Sequence, residues 1–356
     1  MIMSIFNDNI AAFGMDLSDR SVKVAQLGKK NGKVHLLSFA RKDIPKGWIE
    51  DGEIKKEDEV IDLVKKTMRE AKPRSISSKY VVYSIPETKG FIRVIKIPKI
   101  EGDNLEEAVK YEAEQLFPID ISESYIDWQV LSGEDGKVLE VLVAAVPMKL
   151  VDSYSSMLRK AGLMPITAEI ESIAISRSLI NDRQSARPIL IIDLGKDRTS
   201  FIIYKNPTVQ FTASIPVCGN EFNKAISETL NMSDNDAEVL KRKCGLSAKG
   251  ECKDLYRAIQ PSLHEMIKYI NKLSDYYKEH YKEESDIAKV IICGGEARIL
   301  GISSFLSLRI KKEVEKGNPW VNIVLSSEKE IPPISRNDSL IFVTVLGLAI
   351  RGISES

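Results

Sequence analysis

An acidic residue at the end of an apolar run, followed by a tight turn and a second apolar run, occurs twice in this 356-residue chain. The first copy is Met15-Asp16-Leu17-Ser18-Asp19-Arg20-Ser21-Val22-Lys23. The second is Ile192-Asp193-Leu194-Gly195-Lys196-Asp197-Arg198-Thr199-Ser200, which matches the first once Lys196 is treated as an insertion. A carboxylate at a strand end can hold a hydrated cation, and turn amides beside a glycine such as Gly195 can approach an anion closely. Such a turn suits a magnesium–phosphate ligand, with Asp16 and Asp193 as the metal carboxylates. Either copy alone is also an ordinary hairpin whose Asp caps a turn; the repetition favours the chemistry.

The repeat extends beyond the turns. Lys30-Asn31-Gly32-Lys33-Val34 answers Lys205-Asn206-Pro207-Thr208-Val209, and Ile44-Pro45 answers Ile215-Pro216. A pattern recurring over this length marks a duplicated supersecondary unit. Two such hairpins facing each other would clamp a polyphosphate from both sides.

The elements that must position these residues follow from periodicity. Phe13–Phe39 reads as a hairpin with Asn31-Gly32 as its turn, and Leu190–Ile203 as the second hairpin. Arg41–Glu53 reads as irregular, Glu57–Ala71 as a helix and Lys79–Ile85 as a buried strand. Phe91–Ile97 alternates as a strand. A helix capped by Asp103, with Glu106 in the capping-box place, runs to Phe117 before Pro118. Strands at Ile126–Val130 and Val138–Val146 flank a turn at Gly133–Gly136, and a helix over Leu150–Ala161 stops at Gly162. That β-α-β-β-α order reads as a module inserted in the first half. Beyond it the sequence predicts a connecting helix over Glu169–Ile180 and helices over Asn220–Leu230, Glu238–Cys244 and Gln260–Tyr281. A strand over Lys289–Cys293 meets Gly294-Gly295. A helix over Ser303–Lys316 and a strand over Val321–Leu325 follow, and a buried last helix runs from an Asp338 cap to Gly352. The tyrosines at 269, 276, 277 and 281 recur at helical spacing and read as packing.

Composition bounds the function. Lys and Arg total 51 and so do Asp and Glu, so no overall field draws nucleic acid or an anionic bilayer. The four cysteines, Cys218, Cys244, Cys252 and Cys293, lack metal-ligand spacing. They are expected to be unpaired, in a reducing, cytosolic compartment. The N-terminus lacks signal-peptide character, and the apolar run Leu340–Ile350 is shorter than the roughly 20 residues that span a bilayer.

Two phosphate hairpins, a connecting helix and Val290-Ile291-Ile292-Cys293-Gly294-Gly295-Glu296-Ala297-Arg298 in this order resemble the actin-like ATPase superfamily. The resemblance implies an α/β fold of the duplicated, ribonuclease H-like two-lobe kind. It places a first lobe core in 1–88 and 163–186, an inserted subdomain in 89–162, a second lobe core in 187–230 and 287–356, and a helical subdomain in 231–286. It implies ATP and Mg2+ as ligands. Asp16 and Lys23 would contact magnesium and phosphate, as would Asp193 and Gly195, while Gly294, Gly295 and Glu296 would back the adenosine. Ala237-Glu238-Val239-Leu240-Lys241 matches the helix that faces ribose and adenine. The implied nucleotide set also takes in Ser18, Arg20, Ser21, Lys196, Asp197, Thr199, Gly219, Glu238, Lys241 and Arg298. Glu171 stands where relatives position the attacking water and is the candidate base. Each has a plainer alternative: Lys23 as a solvated strand residue, Gly294-Gly295 as a simple turn, Glu171 as a surface helix residue.

The inserted module narrows the resemblance to the division protein FtsA and the PilM family of type IV pilus assembly proteins. Phe13-Gly14-Met15-Asp16-Leu17-Ser18, Tyr111-Glu112-Ala113-Glu114-Gln115-Leu116-Phe117-Pro118 and Ala161-Gly162-Leu163-Met164-Pro165-Ile166 look like PilM. FtsA chains run longer and end in an amphipathic membrane helix, which is not expected here. PilM resemblance implies an ATP-binding scaffold at the inner membrane. Its partner would be the cytosolic N-terminal tail of a single-span, PilN-like membrane protein, lying in a groove bordered by the module. Tyr111, Leu116 and Phe117 would line its pockets, though the same residues could form the module's own core. Contacts with the pilus motor ATPase and platform protein, and self-association, are further implications. Two departures, Cys218 before Gly219 and Ser18 where many relatives carry Gly, point to binding and slow hydrolysis rather than fast turnover. The rivals are an FtsA-like filament protein and a small-molecule kinase of the same superfamily.

Overall fold

The computed structural model describes residues 12–30, 33–99, 104–132, 136–181, 187–205, 207–250, 252–281, 286–323 and 334–354. It divides into two compact units: residues 1–181, 319–333 and 342–356 form unit 1, and residues 182–318 and 334–341 form unit 2.

Unit 1 opens with three antiparallel strands, β1 (Phe13–Leu17), β2 (Ser21–Lys30) and β3 (Lys33–Asp43). The expected hairpin is therefore a three-stranded meander. Its β3 runs on into the stretch read as irregular, and a two-residue ladder of β4 (Ile49–Glu50) and β5 (Glu53–Ile54) follows. Helix α1 (Glu57–Arg69) buries Val60, Ile61 and Val64. Strand β6 (Tyr80–Ile85) then joins β1 in parallel.

Next come β7 (Phe91–Pro98), α2 (Asn104–Leu116), β8 (Ser124–Ser132) and β9 (Val138–Pro147), with β9 antiparallel to both β7 and β8. These elements enclose their own core of Ile95, Ile97, Val109, Ala113, Phe117, Ile121, Leu139, Val141, Val143 and Ala145. The next helix, α3 (Met148–Lys160), does not belong to it. Its Leu150, Tyr154, Met157 and Leu158 pack with Phe13, Met15 and Tyr83 of the main sheet. The module built around this core is thus β-α-β-β, one helix shorter than the sequence implied. Asp103, Asn31-Gly32 and Gly133 lie outside the described residues; Glu106 pairs with Lys110 at 2.6 Å.

Strand β10 (Met164–Ile170) takes the first two residues of the expected connecting helix, leaving α4 (Glu171–Leu179). The main sheet of unit 1 has the order β10-β6-β1-β2-β3, with β10, β6 and β1 parallel.

Unit 2 repeats this plan. Strands β11 (Ile189–Leu194), β12 (Thr199–Lys205) and β13 (Thr208–Ile215) form the antiparallel meander. Helices α5 (Gly219–Leu230), α6 (Asp234–Cys244) and α7 (Cys252–Tyr281) follow. Strand β14 (Lys289–Cys293), helix α8 (Ile302–Ile310) and strand β15 (Val314–Lys316) follow, and the strands of unit 2 take the order β15-β14-β11-β12-β13. Here β15, β14 and β11 are parallel, matching β10, β6 and β1 strand for strand. The duplication read from the two turns is a duplication of whole sheets. The tyrosines of α7 line the core as expected, with Tyr277 buried and Tyr269, Tyr276 and Tyr281 packed on it.

Several expectations fail in the last third of the chain. The helix read over Ser303–Lys316 ends at Ile310, because Lys311 turns left-handed at φ 55° and Val314–Lys316 pairs with β14. Val321 to Ile323 form a turn and not a strand; Val324 and Leu325 lie outside the described residues. Ser335, not Asp338, caps the short helix α9 (Arg336–Ser339), its Oγ accepting from the Asp338 amide at 3.0 Å. A 3-10 turn over Leu340–Phe342 then leads to α10 (Val343–Ser354). The sequence assigns residues up to 356 to the second lobe, but α10 belongs to unit 1. It lies so close to β1 that a Cβ on Gly14 would sit 2.5 Å from the Ala349 nitrogen and the Val345 oxygen. Finally, Cys244 and Cys252, read as unpaired, form a disulfide with Cα atoms 5.4 Å apart.

Candidate functional site

In unit 1 the turn after β1 is built from its own polar groups. Asp16 is buried, its Oδ2 2.7 Å from Lys23 Nζ and its Oδ1 accepting from Ser84 Oγ at 3.3 Å. Register explains the first contact, since Asp16 and Lys23 are direct cross-strand partners. Ser18 closes the turn with its amide on the Ser21 carbonyl, and its Oγ accepts from the amides of Arg20 and Ser21. The side chain thus does here what an open glycine turn would leave to a ligand. Asp19 accepts from the amides of Asp51 and Gly52, at 3.0 and 2.9 Å, and braces the β4–β5 turn. Glu171, the first residue of α4, accepts from the Glu87 amide at 3.0 Å, while Glu87 accepts from the Ser172 amide at 3.1 Å. The two glutamates cross-link the end of β6 to the N-terminus of α4.

The residues expected to meet a partner divide. Tyr111 is 63% exposed on α2. Leu116 packs half-buried on the module core, and Phe117 is buried within it, 6.0 Å from the Phe91 ring. Phe117 is therefore a core residue rather than a pocket wall.

In unit 2 the corresponding turn gathers three glycine-bearing segments. The Gly195 amide bonds the Arg198 carbonyl at 3.0 Å, and a Cβ on Gly195 would sit 2.7 Å from that oxygen. This one-residue-longer turn therefore requires glycine where its counterpart takes Ser18. The Gly219 amide donates to the Gly195 carbonyl at 3.1 Å and the Asn220 amide to Lys196 at 2.8 Å, docking the start of α5 on the turn. Asp197 accepts from Asn220 Nδ2 at 2.6 Å, so in both copies the second Asp of the motif braces the next segment. Thr199 is fully buried and donates to the Val217 carbonyl at 2.6 Å; its hydroxyl is spent inside the fold. Lys196 is exposed. Gly294 has φ 86°, open only to glycine without strain, and a Cβ there would overlap Asp193 Oδ1. Cys293 Sγ lies 3.8 Å from the same oxygen, and burial raises its thiol pKa well above the ordinary value.

Beside the glycines stands a charged cluster. Lys241 is completely buried, 2.9 Å from Glu238 Oε2 and 2.8 Å from Glu296 Oε2, with the Gly219 carbonyl at 3.3 Å. Arg242 forks three ways: Nε to Glu238 Oε1 at 2.7 Å, Nη2 to Glu296 Oε1 at 2.7 Å, and Nη1 to the Gly295 carbonyl at 2.9 Å. Asn223 Nδ2 adds a bond to Glu238 at 2.9 Å. Burial pushes the Glu238 carboxyl up, but the Lys241 bond and charge, with Asn223 and Arg242, hold it at about 2. Arg298 pairs with Asp338 at 3.2 Å. Arg242, Asn223 and Asn220 are absent from the sequence-derived set. Of these, Arg242 carried a signal, standing one turn after Glu238 and next to Lys241.

The residues of unit 2 fit a nucleotide. A Cβ on Gly295 would meet nothing within 4 Å, so backbone there can approach a ligand, while the space over Gly195, Gly219 and Gly294 is taken by Arg198, Glu296 and Asp193. Glu238, its side chain 28% exposed and held as an anion, offers acceptors for hydroxyls. Among the described residues no three His, Cys, Asp or Glu side chains are grouped to hold a metal by themselves. Magnesium shared with phosphates needs only one or two carboxylates, so a single Asp such as Asp193 would be enough on the side of unit 2.

Comparison with known proteins bears on the fold and the family. In sequence, FtsA of Streptococcus pneumoniae serotype 2 (strain D39) is 26% identical over 254 residues, 65% of this chain and 55% of FtsA. FtsA of Neisseria meningitidis serogroup B is 21% identical over 206 residues, 52% of this chain and 49% of its own. The chain spans about half the length of these relatives. Among solved structures, a chain of the PilM-PilN type IV pilus biogenesis complex superposes with TM-score 0.82 at 23% identity, covering 97% of this chain and 99% of that one. MreB5 of Spiroplasma citri bound to AMPPNP gives TM-score 0.54 at 12% identity, covering 95% and 94%. These likenesses establish the actin-like fold. Among the described residues no helix is long and apolar enough to cross a membrane. The family model for type IV pilus assembly protein PilM matches residues 14–353, and the chain belongs to that family.

Proposed function

We propose that this chain is an ATP-binding scaffold of the type IV pilus assembly complex, taking ATP with magnesium and docking the cytosolic tail of a single-span, PilN-like membrane protein. The observation that carries the nucleotide half is the convergence of Gly195, Gly219 and Gly294 around Asp193, beside the Glu238–Lys241–Arg242–Glu296 cluster. Asp193 would share magnesium with the phosphates, Gly195 and Gly219 would admit phosphate oxygens, and Glu238 with Gly294–Glu296 would take the nucleoside. Asp16, Ser18, Arg20, Ser21 and Lys23 are the proposed contribution of unit 1. MreB5, a fold relative, is bound to AMPPNP in its structure, which supports this assignment. The partner half rests on family membership and on the fold relative solved in a PilM-PilN complex. It implies peripheral association with the inner membrane through that partner.

Calorimetric titration tests both halves. ATP with magnesium is expected to bind and to stabilise the fold by about 2.7 kcal/mol at a hundredfold excess over Kd, and Asp193→Ala to weaken both effects. A tail peptide is expected to bind with an affinity that depends on nucleotide. Turnover is expected to stay well below ~10 s⁻¹. No binding at millimolar ATP, or efficient phosphorylation of a small metabolite, would overturn the proposal.

A further inference from the structure

The Gly294–Leu300 segment is held from one side by a single short stretch of chain. Lys241 pairs with Glu296, Arg242 holds the Gly295 carbonyl and Glu296, and the Leu246 amide donates to the Leu300 carbonyl at 2.9 Å. A Cβ on Gly245 would lie 2.5 Å from the Leu300 oxygen, so the chain crosses this segment in close contact. All of these residues lie between 241 and 246, and that stretch contains Cys244, the last residue of α6, bonded to Cys252, the first residue of α7. The disulfide therefore pins the strip that grips the glycine turn to the start of a 30-residue core helix.

The bond is also placed for chemistry. Cys244 is buried while Cys252 is partly exposed, so an incoming thiolate has one accessible sulfur. The other two cysteines, Cys218 and Cys293, are free and buried. Unit 2 has an extensive apolar core of its own, so its folding does not call for a staple. A disulfide beside the proposed ligand turn, in a unit that has its own apolar core, has the character of a redox sensor.

We propose that Cys244 and Cys252 form a thiol–disulfide switch that sets the nucleotide affinity of the Gly294–Glu296 turn, which rests on the nucleotide reading of that site. A dithiol reductant supplies the electrons. One of its thiolates attacks Cys252 Sγ, the S–S bond breaks, and Cys244 leaves as a thiolate that takes up a proton. The second thiol of the reductant then displaces Cys252, leaving both cysteines reduced and the reductant as a cyclic disulfide. Reduction unpins the C-terminal end of α6, loosening the Arg242 fork and the Leu246–Leu300 bond together.

The test uses the full chain, oxidised or treated with dithiothreitol, with the state verified by alkylation and mass. ATP with magnesium is titrated calorimetrically into both. Affinity is expected to fall about tenfold on reduction, within the usual range of coupling between sites. The double variant Cys244→Ser/Cys252→Ser should match the reduced form and ignore dithiothreitol. In parallel, amide hydrogen exchange over residues 294–300, measured without nucleotide, should quicken on reduction. Equal affinity in both states, exchange unchanged by reduction, or failure of the bond to form would each overturn the switch. If neither state binds nucleotide, the site assignment fails, and the exchange measurement alone still decides whether the disulfide governs the turn.

Discussion

Asp16 and Lys23 face each other across β1 and β2 as a buried ion pair, whereas the residue opposite Asp193 in the second copy is Ser200. The two hairpins share a backbone plan and differ in the residue that faces the carboxylate across the strands. The carboxylate of the first is neutralised from within its own sheet. That of the second stands against a thiol and the backbone of Gly294. The duplicated motif therefore sets its two carboxylates in different surroundings, a lysine opposite one and a serine opposite the other.

Removing the cation from the first pair should leave an uncompensated buried charge. Lys23→Met is expected to lower stability by about 3 kcal/mol in urea unfolding, the usual cost of orphaning one partner. The double variant Asp16→Asn/Lys23→Met should recover a large part of that loss. Equal losses in the two variants would mean that Lys23 matters through packing rather than charge.

Glu238 gives the fold a specific acid sensitivity. Its carboxyl is held at about 2 in the folded protein against an ordinary 4.5. A depressed folded-state pKa adds stability that is complete above the unfolded value and vanishes as pH falls through the folded one. The window is thus from about 4.5 down to 2. Asp286, exposed but hydrogen-bonded by Lys312 and Lys278 and likewise held at about 2, titrates over a similar span. Comparing chemical denaturation of wild type with Glu238→Gln from pH 7 to 3 isolates the first group. The variant should lose less stability than wild type between pH 4.5 and 3, and parallel curves would refute the assignment.

The glycines should separate backbone strain from site geometry. Gly294→Ala forces a Cβ onto a left-handed residue and into Asp193, so it should cost on the order of 1–3 kcal/mol and weaken nucleotide binding. Gly219 has no such backbone demand, but a Cβ there would lie 2.7 Å from the Glu296 carboxyl. Gly219→Ala should act mainly by displacing Glu296 from Lys241 and Arg242, raising the nucleotide Kd with a smaller change in Tm. Unaltered affinity in Gly219→Ala would show that the cluster does not support the site.

What was legible in the sequence was what local chemistry specifies. Both turns, their flanking strands and the Gly294-Gly295 corner are written in short runs whose residue types suit only a few conformations. Membership of a packed layer is not written that way. Nothing in Val343–Ser354 tells which sheet it covers; a close fit at Gly14 decides it. Helix α8 reads on past Ile310 because Lys311, Lys312 and Glu313 suit a helix, while β15 exists only through β14. The eight-residue spacing of Cys244 and Cys252 carries no pairing signal until α6 and α7 bring them together. Thr199 and Phe117 carried residue types that suit a ligand or partner, and burial turned both inward.

Phe117 and Tyr111 make the module's partner role testable. They lie on the same segment, yet Phe117 is in the module core and Tyr111 is 63% exposed. Phe117→Ala should open a cavity and cost about 3–5 kcal/mol, most of it local to β7, α2, β8 and β9. Tyr111→Ala should leave stability within ~0.5 kcal/mol of wild type, as an exposed substitution does. If the module contributes to capturing an extended tail, Tyr111→Ala should weaken peptide binding several-fold in calorimetry, because exposed aromatics at such surfaces carry a large share of the affinity. The deletion that completes the test must respect the packing found here. Excising residues 91–146 removes the module with its own core, whereas extending the cut to residue 162 would also remove α3 and the Tyr154 contact beneath the main sheet. The shorter deletion should stay folded and lose the peptide. Unchanged affinity in that folded chain would place the tail elsewhere on the protein.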